Sequence, residues 1–173
     1  MTEKEERYNN AWLNPAGWLG KAENHIISAE CLNNRYVFLF KDFDKTHSSG
    51  TINEQIALLE TVPFLCGIAI ENAIKALIIH RNSDMKTQEE LITSKQWKTN
   101  HDILTMLENE NIVFDKTFIK RIQKALIWSG KYPLPSTKQL RHDKDYNLHE
   151  YSSEDVNTTK ELVSQIKQLI QTQ

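Results

Sequence analysis

The stretch GIAIENAIKALIIHR, Gly67 to Arg81, decides the fold. With Phe64 and Leu65 ahead of it, it places Ile68, Ala69, Ile70, Ala73, Ile74, Leu77 and Ile78 around most sides of one helix. A helix apolar nearly all round needs neighbours all round, so it belongs at the centre of a helical bundle. Two of its residues break the pattern. Glu71 and Lys75 stand four apart in the order that favours an ion pair along a helix, on a surface where a buried charge needs a partner.

Working outward towards the N-terminus, Pro63 predicts a kink or a fresh helix start, because proline removes a backbone bond and crowds the preceding turn. Ahead of it, Thr51-Ile-Asn-Glu54 matches a capping box and starts a helical stretch carrying Ile52, Ile56 and Leu59. Lys45 to Gly50 reads as a polar connection. Asn14-Pro15 is a good helix start. From there Trp18, Ala22, Ile26, Ala29, Leu32, Tyr36 and Phe40 form one apolar stripe running to about Asp44. Residues 1–13 are polar and read as a flexible lead, which leaves 14–173 as a single domain.

On the C-terminal side, Thr87-Gln-Glu-Glu90 is a second capping-box match. Asn100 is expected to cap a short helix with Ile103, Leu104 and Leu107. Asp115 caps the next one, with Phe114 and Ile119 as a hydrophobic staple. That helix carries Phe118, Ile122, Ala125 and Leu126 and ends at Trp128-Ser-Gly130. Lys131 to Tyr151 contains two prolines and reads as a long loop, a length that compact domains reserve for mobile or functional segments. The last helix begins near Ser153, with Glu154 and Asp155 at its positive end and Val156, Thr159, Val163, Ile166 and Ile170 along one stripe. The expected fold class is therefore all-α, an antiparallel four- to five-helix bundle with a long loop before the last helix.

The bulk properties narrow the function. The 173 residues suffice for one core, and 39% hydrophobic with 25% charged residues is a globular mix. A net charge of −2 argues against a broadly basic nucleic-acid surface. The polar N-terminus has no apolar segment of the kind a signal peptide needs, and the longest apolar run, Val62 to Ala69, is far short of the roughly 18 residues of a membrane span. The expectation is a cytoplasmic protein with no membrane contact, its two cysteines, Cys31 and Cys66, buried as free thiols. There is no P-loop, dinucleotide fingerprint, G-x-S-x-G or H-E-x-x-H. The six histidines lack metal-ligand spacing, so neither a metal nor another cofactor is expected.

Three stretches in order resemble the HEPN superfamily of small helical domains. They are Pro63-Phe-Leu-Cys-Gly-Ile-Ala-Ile-Glu71-Asn-Ala-Ile-Lys75-Ala-Leu77, then Asn100-His101-Asp102-Ile-Leu-Thr-Met-Leu107, and the corner Trp128-Ser-Gly130-Lys131-Tyr132-Pro133. The resemblance implies a four- to five-helix bundle that often pairs with itself. In many members it also implies metal-independent RNA cleavage by an Arg-x4–6-His motif at the dimer seam. This chain departs from that motif. Of Arg7, Arg35, Arg81, Arg121 and Arg141, none has a histidine five to seven positions downstream, and Arg141 to His149 has seven residues between. Members without the motif are thought to bind nucleotide, RNA or partner proteins.

The candidate site residues carry two readings each. Glu71 and Lys75 either hold helix register or face a cleft, where Glu71 would orient Lys131, Arg141 or His101. His101 either packs a helix start or sits at its positive end, suited to anion binding through free backbone N–H groups. Trp128, Lys131 and Tyr132 either plug the bundle end or stack a base beside a cation. The loop Arg141-His142-Asp-Lys-Asp-Tyr-Asn-Leu-His149 is either solvated or holds an acid/base histidine with an arginine for phosphorane charge. Three functions follow. The leading one is a HEPN-like module that binds RNA, nucleotide or a partner protein in a stress or defence role, as a homodimer. The second is a divergent metal-independent endoribonuclease using Arg141 with His142 or His149, supported by Glu71. The third is a scaffolding or antitoxin-like protein, its partner a cognate toxin, antitoxin or nucleotidyltransferase.

Overall fold

The computed structural model describes residues 2–41, 49–85, 87–94, 97, 101–128 and 151–172. Among these it is all-helical, with seven helices: α1 (Glu3–Trp12), α2 (Pro15–Lys41), α3 (Ser49–Arg81), α4 (Gln88–Thr93), α5 (Ile103–Asn109), α6 (Lys116–Trp128) and α7 (Asp155–Gln171).

The stretch that decided the fold lies in α3, against α2, α5, α6 and α7. Ile70, Ile74, Leu77 and Ile78 are all but completely removed from solvent, each contributing about 1.5–3 kcal/mol of hydrophobic stabilisation. The segment Glu54–Arg81 is long and apolar enough to cross a membrane, yet most of its apolar window is buried inside the protein. Cross-helix pairs set the directions. Arg35 holds Glu54 at 2.7 and 3.1 Å, while Lys75 lies over the Trp18 ring, so α2 and α3 run antiparallel. Asn33 reaches the Ser153 carbonyl, Lys160 pairs with Glu30 and Lys167 with Glu23, so α2 and α7 are antiparallel too. Gly67 lets α6 approach α3. A Cβ there would stand 2.9 Å from Cβ of Leu126.

Several local expectations meet the structure. Asn14 caps α2 by accepting from the Ala16 N–H, Thr87 and Glu90 complete a capping box, and Asp115 accepts from the N–H groups of Thr117 and Phe118. Others are corrected. The N-terminal segment is helical, because Thr2 and Glu5 form a capping box and three glutamates occupy the first turn. Trp12 then packs edge-on against Trp18, and the Trp18 indole N–H donates to the Trp12 carbonyl. At the other box, α3 begins at Ser49, ahead of Thr51, and Glu54 makes the two-point pair with Arg35 instead of folding back onto a cap. No new helix starts at Pro63, whose ring is buried within unbroken α3. Cys66 is buried as expected, but Cys31 faces outward from α2; both are free thiols.

Candidate functional site

Glu71 and Lys75 come together as their spacing requires. Lys75 Nζ is 2.5 Å from Glu71 Oε1, with both side chains largely buried. The ammonium also lies over two indole rings, 5.0 Å from Trp97 and 5.3 Å from Trp18. Those aromatic faces supply negative quadrupole to a cation that has lost most of its water. The carboxylate has a second partner. His101 Nδ1 lies 2.9 and 3.0 Å from its two oxygens. Burial alone would raise the Glu71 carboxyl, but Lys75 and His101 outweigh it and hold the group below the usual carboxylate range.

His101 is placed by its backbone. Its φ of 68° is left-handed, a conformation that costs a non-glycine residue about 1–2 kcal/mol. This turn immediately precedes α5 and brings the imidazole back over α3. A carboxylate only accepts, so Nδ1 carries the proton and Nε2 is left for other contacts. The ring is accessible, with the His101 side chain 56% exposed against 7% for Glu71.

The anion seat expected at the start of α5 is already filled by the protein. The Ile103 N–H donates to the His101 carbonyl at 3.0 Å, that of Leu104 to Gln123 Oε1 at 2.9 Å, and that of Thr105 to Asp102 Oδ1 at 3.1 Å. Asp102 is the N-cap of α5, and its second oxygen accepts from the Thr105 hydroxyl at 2.6 Å. These first N–H groups of the helix are therefore taken.

A hollow of about 190 Å³ opens beside the Glu71–His101 pair, lined by Phe64, Ile68, Glu71, Asn72, His101 and Leu126. Its walls are apolar and its three polar groups stand on α3 and the turn before α5. A larger hollow of about 380 Å³, lined by Tyr8, Trp12, Trp18 and Lys21 among others, has no acid or histidine among the described residues of its wall. No protein-family model, curated protein or solved structure matches this chain.

Of the residues singled out from sequence, Glu71, Lys75 and His101 share this cluster. Trp128 ends α6, its side chain outside the described set, and Lys131, Tyr132, Arg141, His142 and His149 lie outside the described residues altogether. Three further contributors carry no local sequence motif that marks them as site residues: Trp18 belongs to an apolar stripe, Trp97 to a polar stretch, and Asn72 stands beside the more conspicuous Glu71. The polarity of Asn72 is itself a signal, since it is one more polar residue on a helix that should carry none. Among the described residues no group of three or more His, Cys, Asp or Glu side chains is arranged to hold a metal.

Proposed function

We propose that the chain is a HEPN-like helical bundle, cytoplasmic and homodimeric, that acts by binding RNA or nucleotide in a stress or defence role. The hollow beside Glu71 and His101 is its binding site. One observation carries this reading: a buried ion pair on the core helix that continues into a half-exposed imidazole over a hollow. A pair serving only helix register has no need of that last step. The clustering of Glu71, Lys75 and His101 also unites two of the three stretches on which the HEPN resemblance rests. Titrating purified protein with single-stranded RNA and with nucleotides, followed by indole fluorescence, tests it. His101→Ala is expected to weaken binding by about tenfold with the helical content unchanged, the loss of one hydrogen bond to a positioned group. RNA and nucleotide binding unaffected by His101→Ala and Glu71→Gln would defeat the assignment of this site.

A second reading, metal-independent RNA cleavage, is favoured by one feature of the same pair. A carboxylate on Nδ1 fixes the histidine tautomer with Nε2 as acceptor, the arrangement a general base uses. Arg141 with His142 or His149 would then complete the chemistry. Cleavage of tRNA or total RNA in chelator, abolished in both His101→Ala and Arg141→Ala, would establish it over binding alone.

A further inference from the structure

We infer that the hollow admits an uncharged nucleobase carrying an amino group beside a ring-nitrogen acceptor, as in adenine or cytosine, held by the Asn72 side-chain amide, with any phosphate left outside. This rests on the RNA- or nucleotide-binding reading and adds which part of the ligand enters.

Six polar or charged residues are buried in the described structure: Gln55, Glu71, Asn72, Glu110, Asp155 and Thr159. Gln55 donates to the Leu39 carbonyl, Glu110 accepts from Arg81, Asp155 accepts from Arg121, and Thr159 donates to the Asp155 carbonyl. Glu71 has Lys75 and His101. Asn72 alone among these six has a side chain with no hydrogen-bond partner among the described residues, at 7% exposure and in the wall of the hollow. A buried amide is expensive to leave unpaired, so such a group in a folded protein calls for a partner. Its one acceptor and two donors match an edge that offers a donor next to an acceptor, the pairing by which asparagine reads adenine.

Charge and size select the same part of the ligand. Among the described residues the wall contains a carboxylate and no lysine or arginine, and Lys75 is engaged with Glu71 and two indoles. A phosphate placed there would meet Glu71 with no free cation among the described residues to offset it. At about 190 Å³ the hollow is below the roughly 300–1,000 Å³ of sites that enclose a drug-sized ligand, so it suits one planar ring. Phe64, Ile68 and Leu126 give that ring apolar walls. In the neutral imidazole Nε2 is an acceptor, and the two hydrogens of an exocyclic amino group can serve both it and Asn72 Oδ1, whereas the single ring N–H of uracil can serve only one of them. The base can come from a free nucleoside or nucleotide, or from an unstacked position in single-stranded RNA.

The test titrates the full chain with adenosine, cytidine, uridine, AMP, inorganic phosphate, oligo(rA) and oligo(rU). Calorimetry gives affinity, and the Asn72 side-chain NH2 resonances give the contact. Adenosine and cytidine are expected to bind about tenfold or more tightly than uridine, since a site built to hydrogen-bond a group rejects the analogue lacking it. AMP should match adenosine within about twofold, because the phosphate makes no contact, and both should shift the Asn72 amide. Preference for nucleosides over oligo(rA) identifies a free ligand; the reverse identifies RNA. Asn72→Leu should lower affinity by about tenfold or more, with thermal stability equal or higher, because an apolar group replaces an unpaired amide. The amide shift in the unmodified protein decides the contact even if that variant fails to fold. Binding of AMP but not adenosine, equal affinity for uridine, or a ligand that leaves the Asn72 amide unmoved would overturn the inference and leave nucleotide or RNA binding standing. No binding of any nucleoside, nucleotide or RNA would remove both.

Discussion

Asp155 and Glu71 are both buried carboxylates on helices, at 2% and 5% exposure, and each pairs with a cation. They are finished differently. Asp155 takes two guanidinium donors from Arg121, at 2.5 and 3.2 Å, and the Ser152 N–H at 3.2 Å. Around it the Thr159 hydroxyl returns to the Asp155 carbonyl, the Tyr151 hydroxyl donates to Asn33, and burial pushes the Cys66 thiol up to about 12. Every group in that cluster is answered from within. Glu71 instead passes its hydrogen bonding outward to a half-exposed imidazole, beside an amide with no partner among the described residues. A polar cluster that closes on itself ties α2, α6 and α7 together; one left open is where a ligand can complete it.

The sharpest way to break the comparison is to remove each acid. Asp155→Ala leaves Arg121 without its two-point partner in a mostly buried position and strips a contact from the start of α7. Breaking a buried pair from one side costs about 3–5 kcal/mol, a large share of a domain's total stability. Urea unfolding should show that loss as a lowered midpoint. Glu71→Gln should cost less, because glutamine still accepts from Lys75 and His101 and the ammonium keeps its two indoles. A larger loss from Glu71→Gln than from Asp155→Ala would mean that the open cluster is the structural one.

Between the two clusters, Gly67 tests the packing that the core helix imposes. Alanine gains roughly 1 kcal/mol of helix propensity over glycine. Here its Cβ would sit 2.9 Å from the Cβ of Leu126, which cannot swing away without moving α6. Overpacking of that kind costs about 1–3 kcal/mol, so Gly67→Ala is expected to be net destabilising by up to about 2 kcal/mol. An unchanged or raised melting temperature would show that α6 has slack at this contact.

Acid distinguishes the open cluster by sign. The folded Glu71 carboxyl lies below its ordinary value of 4.5. Its stabilising contribution is therefore complete above about pH 4.5 and is lost as the pH falls through the depressed folded value. The stability gap between the native protein and Glu71→Gln should be widest near neutrality and narrow on acidification below about 4.5. A gap constant down to pH 3 would mean that Glu71 carries no such charge coupling.

What sequence could show follows from distance along the chain. The all-helical class, the central helix and the Glu71–Lys75 pair rest on periodicity and an i, i+4 spacing, which are local rules. Asn14, Asp115 and the Thr87–Glu90 box are local as well. The Arg121–Asp155 and Arg81–Glu110 pairs join residues 34 and 29 positions apart with no spacing rule between them. The Thr51–Glu54 box failed for the same reason: a competing partner, Arg35, comes from another helix. At the site, the helix dipole is what marks His101 in the sequence, whereas the fold uses it through a left-handed turn onto Glu71. Asn72 shows the remaining limit. Its polarity was visible, but only the packed structure reveals that no described residue answers it.

The smallest expected effect falls on His101, and two substitutions separate its backbone from its ring. The imidazole is mostly exposed, and its hydrogen bond to Glu71 contributes about 1 kcal/mol. The left-handed φ of 68° is a cost that alanine inherits and glycine relieves. His101→Gly is therefore expected to be about 1 kcal/mol more stable than His101→Ala, with the native protein close to either. Both variants should weaken ligand binding alike, because both lack Nε2. If instead His101→Gly matched or fell below His101→Ala in stability, the turn would not be strained. If either variant bound ligand as the native protein does, the open end of the cluster would have no part in recognition, and the contrast with Asp155 would reduce to a difference in exposure.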